Sequence, residues 1–275
     1  EIDDLRVLRA TAPQPTSVIH LRTLRGGLVA EDGSLHLERI VADSDRGRFT
    51  AHGDYAPRDR YRMHLTASAV LPAAAGRTPA QLGLAARGDL RKLDIALAGN
   101  APAPVKARLR LEGEAQPRWR FDANSTAVTL AALLGNDDDA APYAFDLRAD
   151  GVGGHANVQG RIAQGDASQG GFAATVLPSK ISVDGQVLLL SPLSLELLGG
   201  TVAANGRADF NNPADARFDG TVQARKLRWQ GDTKDAVAVI GDGDFKLAGR
   251  LRDWTAQGDA TLLRGDERAV IALKA

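Results

Sequence analysis

Cysteine is absent from the 275-residue sequence, and several other features are scarce. Without cysteine, disulfide bonds, thiolate metal ligands and cysteine nucleophiles are excluded. The 34 basic and 34 acidic side chains give a formal net charge of +0, whereas nucleic-acid-binding domains normally carry a basic excess. No apolar run approaches the roughly 18 residues of a membrane-spanning helix. Aromatic residues make up only 5 %, so the 44 % hydrophobic content is mainly Ala, Leu and Val.

Catalytic and cofactor-binding motifs are lacking as well. The sequence has no P-loop, no GxGxxG after a strand and no paired carboxylates on an apolar phase. The run Asp137 to Asp139 lacks the glycine and distal glutamate of a calcium-binding loop. No two of the five histidines have metal-ligand spacing; they are His20, His36, His52, His64 and His155. We therefore predict a protein that is not an enzyme, with no catalytic residue, no metal site and no cofactor.

The dominant pattern is alternation of apolar and polar residues. From Val105 to Leu111, aliphatic residues alternate with Lys106, Arg108 and Arg110, and similar segments recur along the chain. A helix would spread these charges around its circumference, whereas a strand places them on one face. The pattern predicts half-buried antiparallel strands, so the fold class is all-β.

A few segments favour helices or turns. Ser125 is placed to cap a helix over 126–134, and the spacing of Ile2, Leu5 and Leu8 favours another short helix. Gly-Asp pairs predict turns between strands. These pairs are Gly53-Asp54, Gly88-Asp89, Gly231-Asp232, Gly241-Asp242, Gly258-Asp259 and Gly265-Asp266.

An internal repeat is visible in the glycine spacing. Residues 47–55 have nearly the same form as residues 200–208, and each segment follows an alternating strand. The six-residue glycine spacing returns at 154–160 and 243–249. A glycine at a fixed place in successive strands indicates a bend, a bulge or a close backbone approach. We predict one continuous repeat-built segment over 1–275, with a repeat boundary near 135–142.

Each strand has an aliphatic face that must be covered. Two sheets can pack face to face as a sandwich, or one sheet can curl so that its apolar face lines a groove. A β-solenoid is a further alternative. Periodicity does not separate these architectures, although an aliphatic face of small residues suits acyl chains.

Several segments carry a family resemblance. Residues 193–210 resemble the strand–Gly-Gly–strand–Gly unit of the AsmA-like superfamily, and four further segments resemble its TamB branch. Those four segments are 111–122, 128–134, 206–222 and 251–262. The resemblance covers most of the chain. It lies in the spacing of strands and glycines, because the family has no invariant catalytic motif.

The resemblance implies a periplasmic segment of a long, inner-membrane-anchored Gram-negative protein whose anchor lies outside this chain. Its fold would be an elongated, curled, mainly antiparallel sheet forming a taco-like hydrophobic groove. The implied partners are phospholipid, moved between the inner and outer membranes, and an outer-membrane protein of the BamA/TamA type. The implied role is outer-membrane protein assembly or secretion. The chain is expected to be a fragment of the longer protein.

The aliphatic phase supplies the predicted lipid-groove lining. These residues are Leu35, Leu37, Phe49, Met63, Leu65, Leu109, Leu111, Phe121, Phe145, Leu147, Leu195, Leu197, Val202, Phe245 and Leu247. Two other readings of the same pattern are a sealed structural or adhesive β-repeat and a secreted β-sandwich hydrolase. No constellation of residues supports the hydrolase.

Overall fold

A computed structural model describes residues 2–9, 16–73, 75–129, 132–133, 141–165, 171–211, 216–229, 237–250 and 253–274. These residues form 18 β-strands, and the contacts divide the chain into two units, Glu1–Asp146 and Leu147–Ala275. The predicted repeat boundary near 135–142 lies largely outside the described residues. We describe each unit by itself.

Unit 1 holds nine complete strands. They are β1 (Ile2–Arg9), β2 (Thr16–Glu31), β3 (Ser34–Ser44), β4 (Gly47–Ala56), β5 (Arg62–Val70), β6 (Gln81–Asp89), β7 (Lys92–Asn100), β8 (Pro104–Glu112) and β9 (Arg118–Val128). Each strand pairs antiparallel with the next one along the chain, which makes a simple meander.

Strand β10 (Tyr143–Val152) contains the boundary between the units, and unit 2 holds eight complete strands. They are β11 (His155–Gln164), β12 (Phe172–Asp184), β13 (Val187–Leu197), β14 (Gly200–Asp209), β15 (Arg217–Trp229), β16 (Val239–Arg250), β17 (Asp253–Arg264) and β18 (Glu267–Lys274). These eight also pair antiparallel in chain order.

The predicted all-β class, with a curled antiparallel sheet, is confirmed. Within each unit, one meander accounts for all the described strands. Taken by itself, neither unit is therefore a two-sheet sandwich in the described residues. Along β8, residues 105–112 alternate between covered inward and exposed outward positions, as the sequence pattern predicts.

Both helix predictions need correction. Residues 2–9 form strand β1 instead of a helical turn, because pairing with β2 satisfies their backbone groups. Residues 126–128 continue strand β9, so Ser125 lies inside a strand and is not a helix cap. Among the residues described here, the helical conformation is found at 132–133. There the backbone N–H of Ala132 donates to Oγ1 of Thr129 at 3.2 Å, which makes Thr129 the cap.

Most of the predicted Gly-Asp turns lie inside strands. Only Gly265-Asp266 forms a turn, and Gly88-Asp89 ends β6 immediately before one. The other described pairs are within β4, β16 and β17, while Gly231-Asp232 lies outside the described residues. In these strands the glycine provides room for a neighbouring strand or side chain, so its role is packing within the sheet.

Gly53 shows why the repeat glycines are needed. Its backbone has a φ of +130°, and a Cβ built there would collide with the carbonyl oxygen of His64 on β5. It pairs with Leu37 and Leu65 on the two neighbouring strands. Gly206, the equivalent glycine of β14, would place a Cβ 2.6 Å from the carbonyl oxygen of Asp219. The predicted close backbone approach is therefore present in both copies.

The only well-buried apolar cluster in the described part of unit 1 lies at one end of its strands. Ala80, Ala101, Val105 and Val128 are each at most 9 % exposed there. Leu133 from the helical turn and Phe145 from β10 pack against this cluster. Across the described residues of both units, no large side chain is fully buried, which is unusual for sheets of this size. None of the described helical residues belongs to a helix long and apolar enough to cross a membrane.

Candidate functional site

The inward face of unit 1 is built from four cross-strand rows, each taking one residue from every strand between β3 and β9. Row A consists of Leu35, Tyr55, Met63, Gly88, Leu93, Leu111 and Trp119. Row B consists of Leu37, Gly53, Leu65, Ala86, Ile95, Leu109 and Phe121. Row C consists of Ile40, Ala51, Ala67, Leu84, Leu97, Ala107 and Ala123. Row D consists of Ala42, Phe49, Ala69, Leu82, Gly99, Val105 and Ser125.

These rows make one continuous apolar surface. Of their 28 positions, only Ser125 carries a polar side chain, apart from the hydroxyl of Tyr55 and the indole N–H of Trp119. Large side chains tend to lie beside glycine or alanine on the next strand, as Leu65 does between Gly53 and Ala86. This alternation lets a curled sheet bring its inward side chains together without collision.

The apolar face contains a depression of about 290 Å³ between rows C and D. It is lined by the large side chains of Ile40, Phe49, Leu82, Leu84 and Leu97, by four alanines, and by Thr50, Ser68 and Gly83. Phe49 and Leu84 are each 37 % exposed although they face inward. The depression is therefore open to solvent and is at the lower end of the volume range of ligand sites.

Unit 2 repeats this construction. One of its inward rows consists of Val176, Leu195, Val202, Ala224, Gly243, Ala260 and Ile271. The ring of Phe245 lies over two glycines, because a Cβ on Gly243 or Gly258 would come within 2.6 to 2.8 Å of ring carbons. Ile271 and Leu273 on β18 are each 45 % exposed, so the inward face of unit 2 is also only partly covered.

The structure places the fifteen predicted lining residues at the alternate strand positions that carry apolar side chains. All are partly buried except Phe49, which is slightly more exposed. Row A brings together Leu35, Met63 and Leu111, and row B brings together Leu37, Leu65, Leu109 and Phe121. Phe49 lies in row D. Phe145 packs against the buried cluster of unit 1 instead of lining an open surface.

In unit 2, Leu195 and Val202 are direct cross-strand partners, and Leu197 faces Gly200. Phe245 and Leu247 follow each other on the inward phase of β16, and Leu147 is partly buried on β10. That these residues contact lipid remains a prediction.

Sequence reasoning missed row C and the alanines of the depression. It selected large side chains, whereas the lining of the depression also includes Ala42, Ala51, Ala67 and Ala69. The signal was present in the alternation of Ala67, Ser68 and Ala69, where small residues occupy the inward phase. Small side chains leave a hollow only when their neighbours are large, and that requires the register between strands.

The outward faces are polar and carry cross-strand ion pairs. Nε of Arg108 donates to Asp94 at 2.9 Å, and Nη2 of Arg225 donates to Asp244 at 2.6 Å. In each case the hydrogen bond from the guanidinium lowers the pKa of the carboxyl group below its ordinary value. His36 lies 2.7 Å from Asp54 on the same face. These pairs keep one side of each sheet hydrated.

The described residues contain no cluster of three or more histidine and carboxylate side chains that is suited to a metal ion. What the geometry does contain is a polar outward face and an incompletely covered aliphatic inward face in each unit. The chemistry of such a face suits contact with apolar material.

Single antiparallel sheets with one open aliphatic face define the class of β-groove proteins. A comparison with protein-family models matches residues 1–266 to the family described as TamB, N-terminal domain. The chain belongs to the TamB N-terminal domain family. Neither the curated proteins nor the solved structures contain a significant match to it.

Proposed function

We propose that the inward faces of the two units hold the acyl chains of phospholipids that move between the inner and outer membranes. The chain would act as a periplasmic segment of an inner-membrane-anchored protein. With an outer-membrane partner of the BamA/TamA type, contacted by other parts of the full-length protein, it would support outer-membrane protein assembly or secretion. Membership of the TamB family supports this assignment to transport and assembly.

The observation that carries the proposal is incomplete coverage of an aliphatic surface. A sealed repeat protein would bury large side chains between two layers, yet none is fully buried among the described residues. The buried cluster around Val105 is closed, but it occupies only one end of the unit 1 strands. Rows A to C leave aliphatic side chains available for contact.

The energetics fit such a role. Exposing an acyl chain to water costs about 0.8 kcal/mol per methylene, so a whole chain costs on the order of 10 kcal/mol. A continuous apolar face removes this cost by contact alone. No covalent chemistry is required, in keeping with the expectation that the protein is not an enzyme.

The test is photo-crosslinking in the full-length protein within its own cells. A photoreactive amino acid replaces Leu109 or Leu195, which face inward, and the matched controls replace the outward neighbours Arg110 and Glu196. We expect phospholipid adducts at the inward positions and few at the outward ones. Equal labelling at both, or none at the inward positions, would contradict lipid carriage and favour a sealed structural repeat.

A further inference from the structure

The two ends of the unit 1 strands have different chemistry. Beside row A lie the segments 57–62, 90–92 and 113–118, which we call the charged rim. Beside row D lie the segments 71–73, 75–80 and 101–103, which we call the closed rim. A lipid bound across the inward face would therefore meet a different environment at each end.

The charged rim carries six basic side chains: Arg58, Arg60, Arg62, Arg91, Lys92 and Arg118. Some of these pair with nearby carboxylates, as Arg60 does with Asp89 at 3.3 Å and Arg91 does with Glu114 at 2.8 Å. No ion pair involving Arg58 is found among the described residues. Arg118 pairs with Glu112 on the outward phase beside inward Trp119, so it belongs to the polar face. Guanidinium groups bind phosphate through two parallel hydrogen bonds, so Arg58 is suited to a phosphate group.

Aromatic side chains accompany these cations. The rings of Tyr55 and Tyr61 have centroids 6.4 Å apart, and Tyr61 is 49 % exposed. Trp119 ends row A on β9. Tyrosine and tryptophan prefer the boundary between hydrocarbon and water, because each has an apolar ring and one polar group.

The closed rim is different. Ala80 and Ala101 are 1 % and 0 % exposed, and the segments around them contain Pro72, Pro79 and Pro102. Arg77 is the one charged side chain of these segments. The β3–β4 turn on the same side adds the exposed pair of Asp45 and Arg46, 3.9 Å apart. Well-packed alanine and valine at this rim leave little room for a head group.

The distance between the rims also fits. Rows A and D are six residues apart on β5, from Met63 to Ala69, which is about 20 Å along a strand. One leaflet of a bilayer has a hydrocarbon thickness of about 15 Å. An acyl chain laid along the strands from the charged rim therefore reaches the depression between rows C and D.

We infer that unit 1 binds glycerophospholipid in one orientation. The phosphate head group lies at the charged rim near Arg58 and Tyr61, and the chain end lies in the depression lined by Ala67 and Ala69. This inference rests on the proposed lipid function. It adds that the bound lipid has one fixed orientation. Lipid enters at the charged rim, and the closed rim admits none.

The test uses two photoreactive glycerophospholipids added to membranes that contain the full-length protein. One carries a diazirine in its head group and the other at the end of an acyl chain, and mass spectrometry maps the labelled peptides. We expect the head-group probe to label residues 57–62, and the chain-end probe to label residues 67–69 and 82–84. The reverse order, or one shared set of peptides, would overturn the inference. If neither probe labels the inward face, the proposed function itself fails.

A pair of charge-reversal variants gives an independent measurement. Arg58→Glu changes the charged rim, whereas Arg87→Glu changes one exposed charge on the outward face. We expect labelling by the head-group probe to fall about fivefold or more in the rim variant and to stay unchanged in the control. Equal loss in both variants would overturn the assignment of the head group to this rim. If the rim variant unfolds, Arg58→Gln provides the milder test, with the same expected direction.

Discussion

Two positions on one strand distinguish an open inward face from a sealed core. Leu109 and Val105 both face inward on β8, but Val105 is 9 % exposed inside the buried cluster, whereas Leu109 is half-buried between Ile95 and Phe121. We consider Leu109→Arg and Val105→Arg, which introduce the same charge on the same face of the same strand. Any difference between them therefore reports on how each site is covered.

The expected magnitudes differ. At Val105 the new guanidinium would be buried without a partner, which costs about 3–5 kcal/mol. At Leu109 the change forfeits part of the burial of one leucine, about 1–1.5 kcal/mol, because arginine extends its charged end to water while its stem stays on the apolar face. The gap of about 1.5–4 kcal/mol corresponds to a difference in Tm of about 3–16 °C for a unit of this size.

The assay is thermal unfolding of both variants, followed by far-ultraviolet circular dichroism. Thr66→Arg on the outward face of β5 is the control for adding a charge, and it should leave Tm within about 1–2 °C of the parent. Equal and large losses for Leu109→Arg and Val105→Arg would refute the open face. In the lipid-labelling experiment, Leu109→Arg should lower labelling while the protein remains folded.

Four further changes have definite expected outcomes. Gly53→Ala should destabilise unit 1 by about 1–3 kcal/mol in denaturant unfolding, because φ is +130° and the added Cβ meets a carbonyl oxygen. Gly83→Ala, whose nearest neighbour atom is 3.6 Å away, should change stability by less than about 1 kcal/mol. Thr129→Ala should cost about 1 kcal/mol through loss of the helix cap. Asp94→Asn should remove a small acid-dependent part of the stability, at most about 1 kcal/mol because the ion pair with Arg108 is exposed.

The sign of the acid effect follows from the lowered pKa of Asp94. The stabilisation is fully present above the unfolded carboxyl pKa of about 3.9 and is lost as the pH falls through the lower folded value. Unfolding curves at pH 7 and below pH 3 should therefore differ slightly less for Asp94→Asn than for the parent. Equal acid sensitivity of Asp94→Asn and the parent would contradict a role for this ion pair. Unchanged stability of Gly53→Ala would contradict the close approach of strands β4 and β5.

The alternating residues of β8 determined their own structure. Charges at 106, 108 and 110 exclude a helix with a single apolar stripe, and a strand places them together on one face whatever the neighbouring strands are. The six-residue spacing of glycines at 47–53 and 200–206 likewise indicated where strands approach closely. For these features, local backbone geometry is sufficient.

Other features depended on pairing between strands. Gly53-Asp54 has the composition of a turn, but strands on both sides supply backbone partners and extend it. Ser125 has the composition of a helix cap, yet its pairing with Val105 keeps β9 extended and moves the cap to Thr129. Local preferences of about 1 kcal/mol were overridden by the contacts of a whole strand.

The amino-acid sequence by itself determined the strands, their two chemically different faces and the absence of recognised catalytic motifs, because alternation is a property of neighbouring residues. Only the tertiary structure decided that each unit leaves its aliphatic face incompletely covered, that alanines from β3, β4 and β5 form one hollow, and that arginine and tyrosine line one rim while packed alanine closes the other. Those features arise from the register between strands, which places residues distant in sequence in the same cross-strand row.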